Sequence, residues 1–444
     1  MTYAYLETLA RRTEKSKLLY ERASKVLPGG VSYAVRYWTP YPLFITRAEG
    51  SRVWDVDGNE YIDFWMGHLA IIMGHGYKPV LEAAREQLEA GTHYGYCNEW
   101  EVRHAELVAE LSPCVEMFRP TNSGTEANMY AVRLARAYTK RRKVGKMLGG
   151  WHGGYDGLHK AVAPPFDKPS SLGIPAEVSN NIVVMPYNDL ETVSRIIKQE
   201  KEELACITVE PMLGAGGLIP AEPEFLKGLR ELCSDNDIVL IFDEVITGFR
   251  LARGGAQEVY GVIPDLAVFG KILGGGVFPA GGFGGRADIM ELLDISRGKP
   301  FYEMSFHGGT YAGNPLTARA GYTLLSELKK GYVYDKLNKL GEKARRELDE
   351  IFQRYGVDAH VTGMGSVFAI HFTKEKPKDA ETANRTRNLE ITKRYFYHML
   401  HNGVLCLKPE RPVFALSYAH TDEEIEKHIA LTEEFIKKIK NGTS

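Results

Sequence analysis

Between residues 76 and 320 the chain alternates stretches of helical periodicity with short apolar runs. The spacing of apolar positions predicts helices over 78–90, 101–112, 125–142, 190–203 and 223–236. Strands are predicted at MFRP, KMLGG, IVVMP, ACITVEP, IVLIFDE, LAVFGK and GGFGG. Strands separated by helices imply crossovers of one hand and a mostly parallel seven-stranded sheet covered on both faces. Ahead of this region, residues 1–75 predict a charged amphipathic helix ending at Pro28-Gly29-Gly30, then a β-meander over 42–64 turning at Asp57-Gly58-Asn59. Behind it, 321–444 predicts helix (321–356), strand (365–372), helix (384–401), a further strand and a last helix (422–440). The expected organisation is α/β: a large domain over 76–320 and a smaller α/β domain assembled from 1–75 and 321–444.

Composition narrows the function without altering this picture. Of 444 residues, 44% are hydrophobic and 25% charged, as in ordinary folded chains with more than one core. A formal net charge of −2 with no basic block argues against a nucleic acid or an anionic membrane as partner. Five scattered cysteines without a C-x-x-C pair predict reduced thiols, not a disulfide frame or a zinc knuckle. Residues 1–30 hold no apolar core of a secretory signal, and no apolar run is long enough to span a bilayer, so a cytoplasmic protein is expected. The segment DVDGNE has its glycine at the fourth position, where a calcium loop needs it at the sixth; no metal is expected.

Candidate chemistry gathers where predicted strands end, the edge at which open parallel sheets carry their functional groups. Three strands run into a reactive side chain: Glu210 in ITVEP, Asp243 in LIFDE and Lys271 in AVFGK. A buried structural ion pair accounts for any one of them equally well; three at one edge favour a site. In TNSGTEANMYAVRLARA, Ser123, Gly124 and Thr125 open a helical run, either as a plain capping box with Glu126 or as an anion cradle. No Gly-Lys-Ser/Thr follows, so this is not a Walker loop. In GGWHGGYDG the glycines admit a ligand close to Trp151 and His152, although a lone histidine is more often a core residue. A last glycine-rich loop, FHGGTYAGNP, carries Thr310. A phosphate cradle, an aromatic plate, a carboxylate and a lysine together suit pyridoxal 5'-phosphate. The lysine forms the Schiff base and moves protons, and the carboxylate keeps the ring nitrogen protonated.

These motifs resemble those of the class III aminotransferases, of fold type I among pyridoxal-phosphate enzymes. The branch they are most similar to holds glutamate-1-semialdehyde aminomutase and the β-amino-acid transaminases. PGGV, WDVDGNEYIDF, NSGTEA, VEPMLGAGG, FDEVITGFR, FGKILGGG and GGTYAGNPL follow the family's order over essentially the whole chain. The resemblance implies Lys271 as the Schiff-base lysine and Asp243 as partner of the pyridinium. It implies Ser123, Gly124 and Thr125 at the phosphate, with Val245 and Trp151 on the two ring faces. Glu210 and His152 fall beside the cofactor. Thr310 would reach the phosphate of a neighbouring subunit, which implies a homodimer, and pyridoxamine 5'-phosphate is implied as the alternate cofactor form.

Cofactor residues do not separate the reactions of this branch, so the substrate positions decide. PGGVSYAVRYW resembles the aminomutase segment with Arg36 at the arginine that binds the substrate carboxylate, a surface arginine being the alternative. Tyr33, Trp38, Tyr41 and Arg411 complete the expected pocket. The glutamate of the family's FEAGF is absent: ERPVFALSYAHT puts Pro412 near its place. A proline-containing stretch, LHKAVAPPFDKPSSLGIPAEVSNN, stands where aminomutases have a Gly/Ser-rich gating loop. An aminomutase retains its intermediate, whereas a transaminase releases a keto product. The sequence therefore favours an aminotransferase moving an amino group from an amino acid or primary amine, a β- or ω-amine included, to a keto acid or aldehyde. Glutamate-1-semialdehyde 2,1-aminomutase, making 5-aminolevulinate, is the second expectation, and an amino-acid racemase or epimerase the third. Metal-dependent hydrolysis lacks any H-E-x-x-H spacing. A non-catalytic phosphate binder on this fold has no need of Lys271 and Asp243.

Overall fold

The computed structural model describes residues 2–442. It divides into two compact units. One comprises 78–334 with 378–384; the other takes the chain up to Tyr77, Asp335–Pro377, and everything from Arg385.

The first unit is built on a sheet of seven strands. These are β1 (Met117–Thr121), β2 (Lys143–Met147), β3 (Ile182–Met185), β4 (Leu204–Val209), β5 (Val239–Asp243), β6 (Leu266–Gly270) and β7 (Gly281–Gly285). Their spatial order is β1-β7-β6-β5-β4-β2-β3, with β6 through β3 parallel and β7 antiparallel to both neighbours. Strands β4 and β5 are buried along their whole length, which is why LACITV and VLIFD are nearly continuous apolar runs. Strand β7, GGFGG, is glycine for a different reason. A Cβ on Gly281 would lie 2.1 Å from Ser123 O, and one on Gly285 2.2 Å from Asp265 O. The helix Gly124–Thr139 packs Ala127, Ala131, Leu134 and Ala135 into a core with Ile241, Val268 and Phe283. The three alanines let the helix approach the sheet closely.

The other unit holds two sheets. Strands Ile45–Glu49, Arg52–Asp55 and Glu60–Asp63 form the expected meander, extended by a parallel strand at Val404–Leu405. A second sheet pairs His360–Met364, Val367–His371 and Val413–Ala415. Phe64, Phe368, Phe414 and His428 pack their rings together in this unit, with Phe368 stacked on Phe414 at 5.0 Å.

Two helices differ from expectation. The periodicity over 321–356 belongs to two helices, Pro315–Leu328 and Tyr332–Arg354, separated at Gly331, which takes φ 89°. The N-terminal helix is likewise two, Thr2–Arg12 and Glu14–Ala23, broken at Thr13, whose hydroxyl bonds back to Leu9 O. Among the described residues no helix is long and apolar enough to cross a membrane.

Candidate active site

Parallel pairing brings the ends of β2, β4, β5 and β6 to one edge of the sheet, and two antiparallel pairings through β7 bring the end of β1 there as well. There the chain places Ser123 after β1, the Gly149–His152 turn after β2, Glu210 after β4, Asp243 at the end of β5 and Lys271 after β6. The antiparallel β7 begins at the same edge, since Gly281 pairs with both Gly270 and Thr121.

Asp243 is buried and engages both its oxygens. Its Oδ2 accepts from His152 Nδ1 at 2.7 Å and from Asn128 Nδ2 at 2.8 Å; its Oδ1 accepts from Val245 N at 3.1 Å. A carboxylate only accepts, so the histidine proton is on Nδ1 and Nε2 keeps its lone pair. That Nε2 is buried and has no hydrogen-bond partner, and neither has Asn128 Oδ1. Burial holds the His152 pKa below the usual imidazole value, with the Asp243 contact opposing.

Lys271 takes a left-handed backbone, φ 48°, at a cost of about 1–2 kcal/mol for a residue with a Cβ. Burial lowers its ammonium pKa, opposed by the charges of Asp243 and Glu210. Such a lysine reaches its neutral, nucleophilic form more readily than an exposed one. Glu210 Oε1 accepts from Trp151 N at 2.8 Å and Oε2 from Gly214 N at 3.0 Å, so its carboxyl organises two turns. Burial, reinforced by the Asp243 charge, raises the Glu210 pKa.

At the start of the helix Gly124–Thr139, Ser123 Oγ accepts from Glu126 N at 3.2 Å. The first N–H groups of the helix have no partner within it. The turn is kept open by glycine: a Cβ on Gly124 would lie 2.8 Å from Val245 Cγ2, and one on Gly153 (φ 85°) would lie 2.1 Å from Thr125 Oγ1. Thr125 Oγ1 accepts from Gly154 N at 3.3 Å, which ties this turn to the loop carrying Trp151 and His152. Trp151 is partly exposed and meets His159 edge-on at 5.3 Å. Thr310 is exposed.

The expected substrate residues lie in the other unit and do different things there. Trp38 and Tyr41 are buried in packing: Trp38 against Phe396 and Tyr397, Tyr41 with its hydroxyl 3.1 Å from Thr13 Oγ1. Their aromatic bulk serves the core of that unit. Tyr33 is exposed and stacks on His68 at 5.6 Å, and Arg36 is exposed and donates to Ser32 Oγ at 2.9 Å. Burial, with the nearby Arg387 charge, brings Arg411 down to about 10.

Two residues at the sheet edge escaped the sequence reading. Asn128 looks like any polar position on a helix, yet it bonds across 115 residues to Asp243. Lys146 lies within β2, is fully buried, and donates to Gly150 O at 2.8 Å and Lys160 O at 2.6 Å. Burial pushes its pKa down to about 7, with Glu210 opposing. A second lysine, set inside the buried run VGKM, was the signal available for it.

A planar phosphorylated pyridine fits this set. The open helix start can take its phosphate, a buried carboxylate with a fixed direction can meet its ring nitrogen, and an adjacent lysine can bond to it.

The Aminotransferase class-III family pattern matches residues 33–436. The chain is 41% identical to a glutamate-1-semialdehyde 2,1-aminomutase of Methanosphaera stadtmanae, covering 96% of this chain and 99% of that one. It is 42% identical to the protein of the same name from Methanosarcina acetivorans, covering 93% and 96%. Among solved structures, an omega-transaminase from Sphaerobacter thermophilus has a TM-score of 0.89 at 36% identity, covering 97% of this chain and 99% of its own. A transaminase with PLP bound has a TM-score of 0.86 at 32% identity, covering 96% and 98%.

Proposed function

This chain belongs to the class-III aminotransferases, and on that premise we propose that it is a pyridoxal-phosphate enzyme of the glutamate-1-semialdehyde 2,1-aminomutase type. The observation that carries the proposal is 41% identity, spanning 96% of the chain, to a relative of that name. That likeness supports the aminomutase over the transaminase, the reverse of the ranking from sequence motifs alone.

Pyridoxal phosphate, when bound, supplies a carbonyl carbon for the substrate amine and a ring that accepts the electron pair left by a departing proton. The residues divide the remaining work. The N–H groups at the Ser123-Gly124-Thr125 turn bind the phosphate. Asp243, aimed by His152 and Asn128, holds a proton at the ring nitrogen. Val245 and Trp151 would pack against the cofactor ring. Lys271 Nζ would hold the cofactor covalently and, when free, would be the base that takes up and gives back the proton of the substrate carbon bearing nitrogen. Glu210 keeps the Trp151 and Gly214 turns in place. In the aminomutase reaction the amino and oxo groups of glutamate 1-semialdehyde exchange positions, so no keto acid is consumed.

A transaminase is the second reading, favoured by Pro412 standing near the aminomutase glutamate and by the two transaminase structures at 36% and 32% identity. One assay separates the two. Given glutamate 1-semialdehyde and no keto acid, the cofactor-loaded protein is expected to make 5-aminolevulinate. Turnover that requires a keto acid and releases a keto product makes it a transaminase.

The same reading includes a homodimer in which Thr310 serves the neighbouring site. It is supported by the exposure of Thr310 and of Phe301, Tyr302, Phe306 and Tyr311 around it. Light scattering is expected to give twice the chain mass; a monomer that turns over at full rate contradicts this part.

A further inference from the structure

Asn128 lies on the second turn of the helix Gly124–Thr139 and is buried. Helix propensity does not favour asparagine there, and burying its amide is costly unless it is hydrogen-bonded. Its Nδ2 makes two bonds, to Gly124 O at 3.1 Å and to Asp243 Oδ2 at 2.8 Å. Its Oδ1 has no partner. The amide cannot be turned over, because its oxygen would then face the carboxylate, acceptor against acceptor. One side chain thus bridges the turn where the phosphate is proposed to sit and the carboxylate proposed to meet the ring nitrogen. His152, from the loop after β2, supplies a second donor to the same oxygen, and Val245 N takes the other. Donors from three segments fix the carboxylate's plane. A leucine would fill the same space and form helix better; what it could not do is hold both ends of this bridge.

We propose that Asn128 is a positioning residue for the reaction, a strut that sets the direction of the Asp243 carboxylate and its spacing from the phosphate cradle. The inference rests on the function proposed above. Asn128→Leu keeps the shape and removes the donor; Asn128→Ala removes it with less risk of a clash. For each variant and the wild type, three quantities are measured: the pyridoxal-phosphate dissociation constant of the apoprotein, the pH midpoint of the bound cofactor's visible absorbance, and the melting temperature of the apoprotein. Both variants are expected to bind the cofactor roughly tenfold more weakly, the effect of losing one hydrogen bond to a charged group. Their pH midpoints are expected to move away from that of the wild type. A variant with wild-type affinity and midpoint, whatever its melting temperature, overturns the strut. If one variant does not fold, the other decides on the same terms. A wild type that binds no pyridoxal phosphate overturns the functional reading itself, which distinguishes the two failures.

Discussion

Asp243 ends β5 and Glu244 follows it; both acids are buried, and they bond to separate sets of partners. Glu244 accepts from Ala256 N at 2.7 Å, Thr247 Oγ1 at 2.9 Å and Gln257 Nε2 at 3.0 Å. Gln257 in turn bonds Ser112 and Cys114, so that region is closed. Asp243 has as many donors, but two of them, His152 and Asn128, leave a buried polar atom unpaired. The partners of Glu244 leave no buried side-chain polar atom unpaired. Around Asp243 the matching is incomplete, next to a lysine in a strained backbone. A structural acid and a functional one differ less in burial than in what their partners leave over.

The largest effect separates chemistry from packing. Lys271→Ala is expected to lower turnover by at least about 10²–10⁴-fold while the melting temperature holds, because the loss is of a proton-transfer group. Near-wild-type turnover in this variant breaks the comparison at its root. Next comes the acid pair. Asp243→Asn is expected to cut turnover by roughly 10²–10³-fold, as for loss of an aligned electrostatic partner, with little loss of stability. Glu244→Ala is expected to cost about 2–4 kcal/mol of stability by orphaning its donors, and to leave the cofactor's visible spectrum unchanged. Chemical denaturation and absorbance, measured on both, show whether the two acids exchange these roles.

How much of this was legible in the sequence follows from distance along the chain. Glu210, Asp243 and Lys271 announce themselves because an apolar run stops at each. Ser123 does so because a cap precedes a helix. The Asp243–Asn128 bond joins residues with no local signature, and only the sheet order brings them together. The antiparallel setting of β7 was hidden for a similar reason: GGFGG reads as a weak strand, and its glycines are explained by neighbours remote in sequence. Trp38 and Tyr41 sit in a motif-bearing segment, yet the motif does not say which of its aromatics are buried in packing.

A smaller effect depends on pH. Lys146 has its folded pKa depressed to about 7 from 10.5, so between these values the unfolded chain holds a proton that the folded chain has released. Its contribution to stability therefore rises with pH across that window. Against Lys146→Met, the wild type is expected to gain relative stability from neutral pH toward the upper end of the window; a constant difference in urea midpoint contradicts the assignment. Smallest is Tyr41→Phe, which removes one hydroxyl contact in the other unit: about 1 kcal/mol of stability, with turnover unchanged.

The most direct test of the sheet-edge site is to load the protein with pyridoxal phosphate, reduce it with borohydride, digest it and weigh the peptides. The account predicts one cofactor mass added to the peptide containing Lys271 and none elsewhere. A label on Lys146 or another lysine, or no label at all, would contradict it.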